Sequence, residues 1–123
     1  MKSKPPFNKS ILFAWKGLVN VVKNERNFRI ELFALFINIV LIFLLKLNRT
    51  DACLILICSF MVLAAEMLNT AVEKLCDFLH PTFHPKIGLI KDISAGAVFL
   101  LAILSVVVGV LVYLPYVEIL FLF

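Results

Sequence analysis

The run from Ala52 to Ala65 is apolar and long enough to enter a bilayer, and it ends directly on charge. The next stretch reads Glu66-Met67-Leu68-Asn69-Thr70-Ala71-Val72-Glu73-Lys74-Leu75-Cys76-Asp77. Its carboxylates and one carboxamide recur at steps of three, four and four residues. At 3.6 residues per turn, those steps set Glu66, Asn69, Glu73 and Asp77 on one face of a helix. Charge at the end of a membrane helix is costly unless partners or a task hold it there. The chain must therefore build a bilayer-crossing helix whose last turns reach the interface, and it must use the acidic face it brings there.

Composition supports the membrane reading. Hydrophobic residues are 63% of the 123 and charged residues 16%, where a soluble domain has about 45–50% and 25%. One all-α membrane domain, residues 1–123, accounts for this length. Lys2, Lys4, Lys9, Lys16, Lys23, Arg26 and Arg29 precede the first apolar span, and Lys74, Lys86 and Lys91 cluster between the second and third. Only Lys46 and Arg49 lie between the first two. The positive-inside rule then places the N-terminus and second connection in the cytoplasm, with the first connection and C-terminus outside. Three spans satisfy that arrangement. Because the basic residues flank lipid-length segments, a nucleic-acid partner is not expected. Cys53, Cys58 and Cys76 form no C-x-x-C pair and read as small hydrophobes. The basic, polar-broken first thirty residues do not resemble a signal peptide.

In chain order, residues 1–9 with Pro5-Pro6 predict a loose start. Over about 10–24, Ile11, Leu12, Trp15, Leu18, Val19 and Val22 fall at helical intervals opposite Lys9, Lys16, Asn20 and Lys23. This predicts an amphipathic helix lying on the membrane surface, with Trp15 at headgroup level as a candidate lipid contact. Residues 24–27 are a polar break. Span one follows at about 28–47, carrying Glu31 and Asn38 on one face. A short turn leads to span two, about 51–79, longer than the roughly 20 residues a bilayer core needs. Glu66 then sits at the cytoplasmic interface, with Glu73 and Asp77 nearer water. His80-Pro81 ends the helix. Span three is placed at about 90–116, with Pro115 at its outer end. Ala95, Gly96, Ala97, Ala102, Ser105 and Gly109 are small enough to let helices approach closely.

The polar residues at the cytoplasmic level are Glu25, Glu31, Glu66, Asn69, Glu73, Asp77, Lys91 and Asp92. Oxygen ligands with few nitrogen or sulfur partners suit a hard cation such as Mg²⁺. A nearby lysine suits phosphate, and a carboxylate in a less polar layer can act as general base. These are parts for phosphoryl transfer. Gly17, Gly88, Gly96 and Gly109 are the only glycines, so no Gly-rich nucleotide motif can be written. Alternatives remain for each feature. A single interfacial carboxylate is commonly solvated or salt-bridged, and intramembrane carboxylates also serve proton or cation pathways. His80 and His84 read as capping or hydrated rather than metal-binding, and Asn38 as interhelical glue.

Glu66-x-x-Asn69-Thr70-Ala71-x-Glu73-x-x-x-Asp77, followed by His84, Lys91-Asp92 and Ala95-Gly96-Ala97-Val98, resembles the signature of the prokaryotic diacylglycerol kinase family. Trp15-Lys16-Gly17 and Asn24-Glu25-Arg26-Asn27-Phe28-Arg29 with Glu31 resemble its N-terminal region. The match runs from Ser10 to Val112. The resemblance implies a homotrimer of three transmembrane helices and a surface helix per protomer, in the bacterial inner membrane. It implies transfer of the ATP γ-phosphate to a lipid hydroxyl, with Mg²⁺ and with cytoplasmic active sites shared between subunits. By motif position Glu66 resembles the general base, Glu25 and Glu73 the carboxylates on the metal, and Asn69 an orienting group. Lys91 corresponds to a phosphate contact, Asp77, Gly88 and Asp92 to nucleotide-side positions, and Glu31 to a supporting residue. Phe78 stands where some members carry arginine, and Phe83 and Phe13 where tyrosine occurs. The His84-Pro85 and Lys91–Val98 patterns also resemble the branch that phosphorylates undecaprenol, so the acceptor stays open between diacylglycerol and undecaprenol.

Overall fold

Turn chemistry divides the chain into helices. In the computed structural model, which describes residues 3–122, there are four: α1 Phe7–Asn24, α2 Arg26–Leu44, α3 Arg49–Leu79 and α4 Pro85–Leu122. Lys2, counted above among the basic residues, and Phe123, the end of the apolar tail, lie outside the described residues. α1 begins within the stretch expected to be loose. Pro6 holds an extended conformation, and its carbonyl accepts from the Lys9 and Ser10 amides at 3.0 Å. Pro6 is thus the N-cap from which the helix starts. The polar break between α1 and α2 is narrower than expected. Glu25 alone leaves helical geometry (φ −110°, ψ 113°), and Arg26 and Asn27 already belong to α2.

α2 ends at Leu44, short of the expected 47, because the chain turns there with Lys46 at φ 53°. Asn48 caps α3, its Oδ1 accepting from the Asp51 amide at 2.8 Å. α3 ends at His80 before Pro81, as proline's restriction on the preceding residue requires. α4 starts five residues before the expected 90, with Pro85 in the first helical position, where its missing N–H is not needed. The Lys86 amide donates to His84 Nδ1 at 3.1 Å, so His84 is a cap. α4 also passes the expected terminus: it continues through Pro115 to Leu122. One absent backbone bond is tolerable in a membrane helix, and Tyr116, directly after the proline, is tied to the start of α3.

α2, α3 and α4 are each long and apolar enough to cross a membrane. At 1.5 Å per residue, the 31 residues of α3 span roughly 45 Å, against about 30 Å of bilayer hydrocarbon. α3 is the central element: α1, α2 and α4 all pack on it, while among the described residues the backbones of α2 and α4 stay apart and the two helices meet through the Tyr113–Asn38 hydrogen bond. The buried core is small. Val21, Phe28, Leu35 and Leu63 form one cluster joining α1, α2 and α3, with Leu18, Val22, Leu56 and Met67 against it. In α4 only Val112 is buried among the described residues. Most apolar side chains face outward, as lipid or partner helices require. Gly96 and Gly109 of α4 are not used for close packing within the chain: a Cβ at either would meet nothing within 4 Å.

Two polar clamps link the spans. Asn38 of α2 donates to Ser59 Oγ of α3 at 3.3 Å and accepts from Tyr113 of α4 at 2.8 Å. Ser59 in turn donates to the Ile55 carbonyl at 2.8 Å. Near the α2–α3 turn, Tyr116 donates to Asp51 at 2.8 Å and accepts from the Asn48 amide at 3.2 Å. Asn38 is interhelical glue, and its α4 partner is Tyr113. Tyr113→Phe is expected to lower the unfolding free energy by about 1 kcal/mol, the scale of an interhelical hydrogen bond in a membrane. An SDS unfolding titration in mixed micelles measures this, and an unshifted midpoint would show that the bond contributes nothing.

Candidate active site

The acidic face of α3 meets the α1–α2 junction. The buried Val21–Phe28–Leu35–Leu63 cluster sits beneath this meeting point, with Met67, the neighbour of Glu66, packed on it. It fixes α1 and α2 against α3 at the level of Glu25, Glu31 and Glu66. The negative charges of Glu31, Glu73 and Glu25 all bear on Glu66. Carboxylates from three chain segments thus lie within electrostatic range of Glu66. Exposure rises along the stripe: Glu66 and Asn69 are half-buried, Glu73 and Asp77 exposed.

Asn69 is pointed. Its Nδ2 donates to Glu73 Oε1 at 3.2 Å, one turn on. Its Oδ1 is buried and has no hydrogen-bond partner. A buried amide oxygen without a donor is unfavourable unless something else approaches it. Among the described residues, no three His, Cys, Asp or Glu side chains converge into a preformed metal cage. The donor set is instead a few hard oxygens: the Glu25 and Glu73 carboxylates and the orphan Asn69 oxygen. That fits Mg²⁺, which commonly uses one or two carboxylates and takes its remaining ligands from water and substrate phosphates.

A second group of residues surrounds a cleft of about 130 Å³ at the end of α3. Asp77, Thr82, Phe83, His84, Gly88 and Lys91 line it. Three of the four nucleotide-side candidates, Asp77, Gly88 and Lys91, thus come together. Asp92 is exposed and does not line this cleft. Lys91 Nζ pairs with Asp77 Oδ1 at 2.5 Å. Gly88 faces the edge of Phe83, where a Cβ would stand 3.6 Å from the ring, an ordinary contact. The His80 and His84 rings meet edge-on with centroids 5.2 Å apart, and His80 Nδ1 donates to the Thr82 carbonyl at 2.7 Å. The loop is held by its own histidines. Glu73 stands between the two groups, bonded to Asn69 and one helical turn before Asp77 of the cleft. Trp15 is 60% exposed and stands apart from the carboxylates, lining an apolar groove of about 370 Å³ with Leu18, Val22, Phe28 and Leu32.

Arg29, expected only as a flanking basic residue and part of a motif, has a specific structural role. Its Nη1 donates to the Val22 and Lys23 carbonyls at 3.2 and 2.8 Å, and so closes the C-terminus of α1 from α2. A basic side chain four residues after a break is the local signal that could have marked it, since cations favour helix C-termini.

Comparison with known proteins bears on this arrangement. The model of a family described as prokaryotic diacylglycerol kinase matches residues 12–113. An undecaprenol kinase of Bacillus subtilis is 32% identical over 109 residues, covering 89% of this chain and 89% of that protein. A diacylglycerol kinase of Synechocystis is 36% identical over 107 residues, 86% of this chain and 61% of that protein. A diacylglycerol kinase of Escherichia coli is 30% identical over 95 residues, 77% of this chain and 78% of that protein.

Proposed function

The chain belongs to the prokaryotic diacylglycerol kinase family, and from that premise we propose that this lipid kinase transfers the γ-phosphate of MgATP to the hydroxyl of diacylglycerol. Membership of a kinase family removes the alternative of a non-enzymatic ion-pathway subunit. The observation that carries the mechanism is the buried, unpartnered Asn69 oxygen on a side chain bonded to Glu73, one turn after Glu66 on the same acidic face of α3. Glu66, the most enclosed of the stripe's carboxylates, accepts the proton of the lipid hydroxyl as general base. The hydroxyl oxygen attacks the γ-phosphorus, the bond from that phosphorus to the bridging oxygen breaks, and ADP departs with the electron pair. Lys91 meets phosphate in the cleft it shares with Asp77 and Gly88, and Asp92 serves the nucleotide from the next position. Glu31 supports Glu66, and Trp15 meets the lipid.

Glu25, Glu73 and the Asn69 oxygen would hold Mg²⁺, which when bound neutralises phosphate charge. The protein works at the cytoplasmic face of the bacterial inner membrane, with α1 lying on the surface and the C-terminus outside. Basic residues flanking the first span support that orientation. A homotrimer with sites shared between subunits is supported by the open faces at Gly96 and Gly109 and by the nearly unburied α4. Undecaprenol is the second reading, favoured because the match to the Bacillus undecaprenol kinase covers 89% of both chains. Purified protein with radiolabelled ATP and each lipid in mixed micelles decides between them. Label is expected in phosphatidic acid; label in undecaprenyl phosphate alone assigns the second reading. No labelled lipid, beside an active control kinase, removes both.

A further inference from the structure

Glu25 occupies an unusual position for a functional carboxylate. It is the single non-helical residue between two helices, so the angle between α1 and α2 decides where its side chain points. Two main-chain bonds bracket it: the Glu25 amide donates to Val21 at 2.9 Å, and its carbonyl accepts from the Arg29 amide at 3.2 Å. Neither bond crosses from one helix to the other. The last turn of α1 leaves carbonyls that continuation of the helix would have satisfied. Arg29 takes two of them, at Val22 and Lys23, with one nitrogen. The guanidinium is thus a strap from the first turn of α2 back over Glu25 to the end of α1. Its charge also lies at the negative end of the α1 dipole. Apart from this strap, the junction is held by packing of Val21 and Phe28.

We propose that Arg29 is a positioning residue that fixes the α1–α2 angle and thereby aims the Glu25 carboxylate at the metal-phosphate group beside Glu73. The inference rests on the reading of Glu25 as a metal carboxylate. Arg29 itself touches neither metal nor phosphate in this role. Both bonds come from one nitrogen, Nη1, of a rigid planar guanidinium, where a lysine ammonium swings on a flexible stem.

The test is binding of Mn²⁺, with a non-hydrolysable ATP analogue, to the full-length protein in nanodiscs, followed by electron paramagnetic resonance. Arg29→Met is expected to weaken Mn²⁺ binding about tenfold, the lower end of the loss when a supporting partner of a metal ligand is removed. Arg29→Lys recovers part of it. Glu25→Ala weakens binding as well, and adding Arg29→Met to Glu25→Ala causes no further loss, because the arginine acts only through that carboxylate. Unchanged Mn²⁺ binding in Arg29→Met and Arg29→Lys, with loss in Glu25→Ala, overturns the positioning role and leaves the metal reading standing. Additive losses overturn it too, since Arg29 would then act by another route. Unchanged binding in Glu25→Ala overturns both. Should Arg29→Met fail to assemble, judged by its mass in detergent, Arg29→Lys alone carries the comparison.

Discussion

Glu66→Gln is expected to lower lipid phosphorylation by about 10²–10⁴-fold, the usual contribution of a positioned general base, while binding of a fluorescent ATP analogue stays close to wild type. The two readouts separate because of where Glu66 sits. It lies eleven residues, three turns, before Asp77, where the nucleotide cleft begins. The charges acting on it are all acidic: Glu31, Glu73 and Glu25. Removing its charge relieves repulsion within that cluster, so the glutamine protein should unfold at the same temperature as wild type or higher. Loss of activity with retained or raised stability therefore isolates a chemical role. Full activity in Glu66→Gln removes it as base, and activity lost together with ATP binding moves it to the nucleotide side. Neither outcome could be confused with misfolding if the unfolding midpoint is recorded on the same preparation.

Residue spacing reveals some parts of this site and not others. The acidic face of α3 is local: one helix, steps of three and four, and the side chains must share a side. The end of α3 at His80-Pro81 is also local, because proline restricts the residue directly before it. Pro115 misleads, since the same lost bond that ends a soluble helix is carried within a membrane helix. What holds α4 past it is the Tyr116–Asp51 bond, across 65 positions of sequence. Tyr113 on Asn38 is equally non-local. No periodicity within one helix reports which residue of another it meets. Within the start expected to be loose, residues 7–9 are helical for a related reason: Pro5-Pro6 reads as disruption, yet a proline carbonyl can accept the first helical bonds. The Arg29 strap depends on a backbone break confined to Glu25, and a four-residue polar stretch does not say which of its members breaks.

Lys91→Met should separate activity from stability in the other half of the site. The Lys91–Asp77 pair lies at the rim of the cleft, with Asp77 well exposed. Exposed ion pairs contribute little to folding because water screens them and the side chains lose freedom in forming them. The methionine protein should therefore unfold at the wild-type midpoint. Its catalytic efficiency toward ATP is nevertheless expected to fall about 10²-fold, as when one group stabilising developing charge is removed from a transition state. The loss should fall on kcat as well as KM, since charge on the transferring phosphoryl group is greatest between reactant and product. Asp77→Asn should be milder. The lysine keeps its full charge and, without its carboxylate partner, stays free to meet phosphate, while an asparagine oxygen can still accept its hydrogen bond. A steady-state comparison at saturating lipid decides this. If Asp77→Asn loses as much as Lys91→Met, the pair acts as one structural unit and the lysine has no separate task at phosphate. If Lys91→Met keeps wild-type efficiency, phosphate is held elsewhere, and the cleft between α3 and α4 is not where the nucleotide reacts.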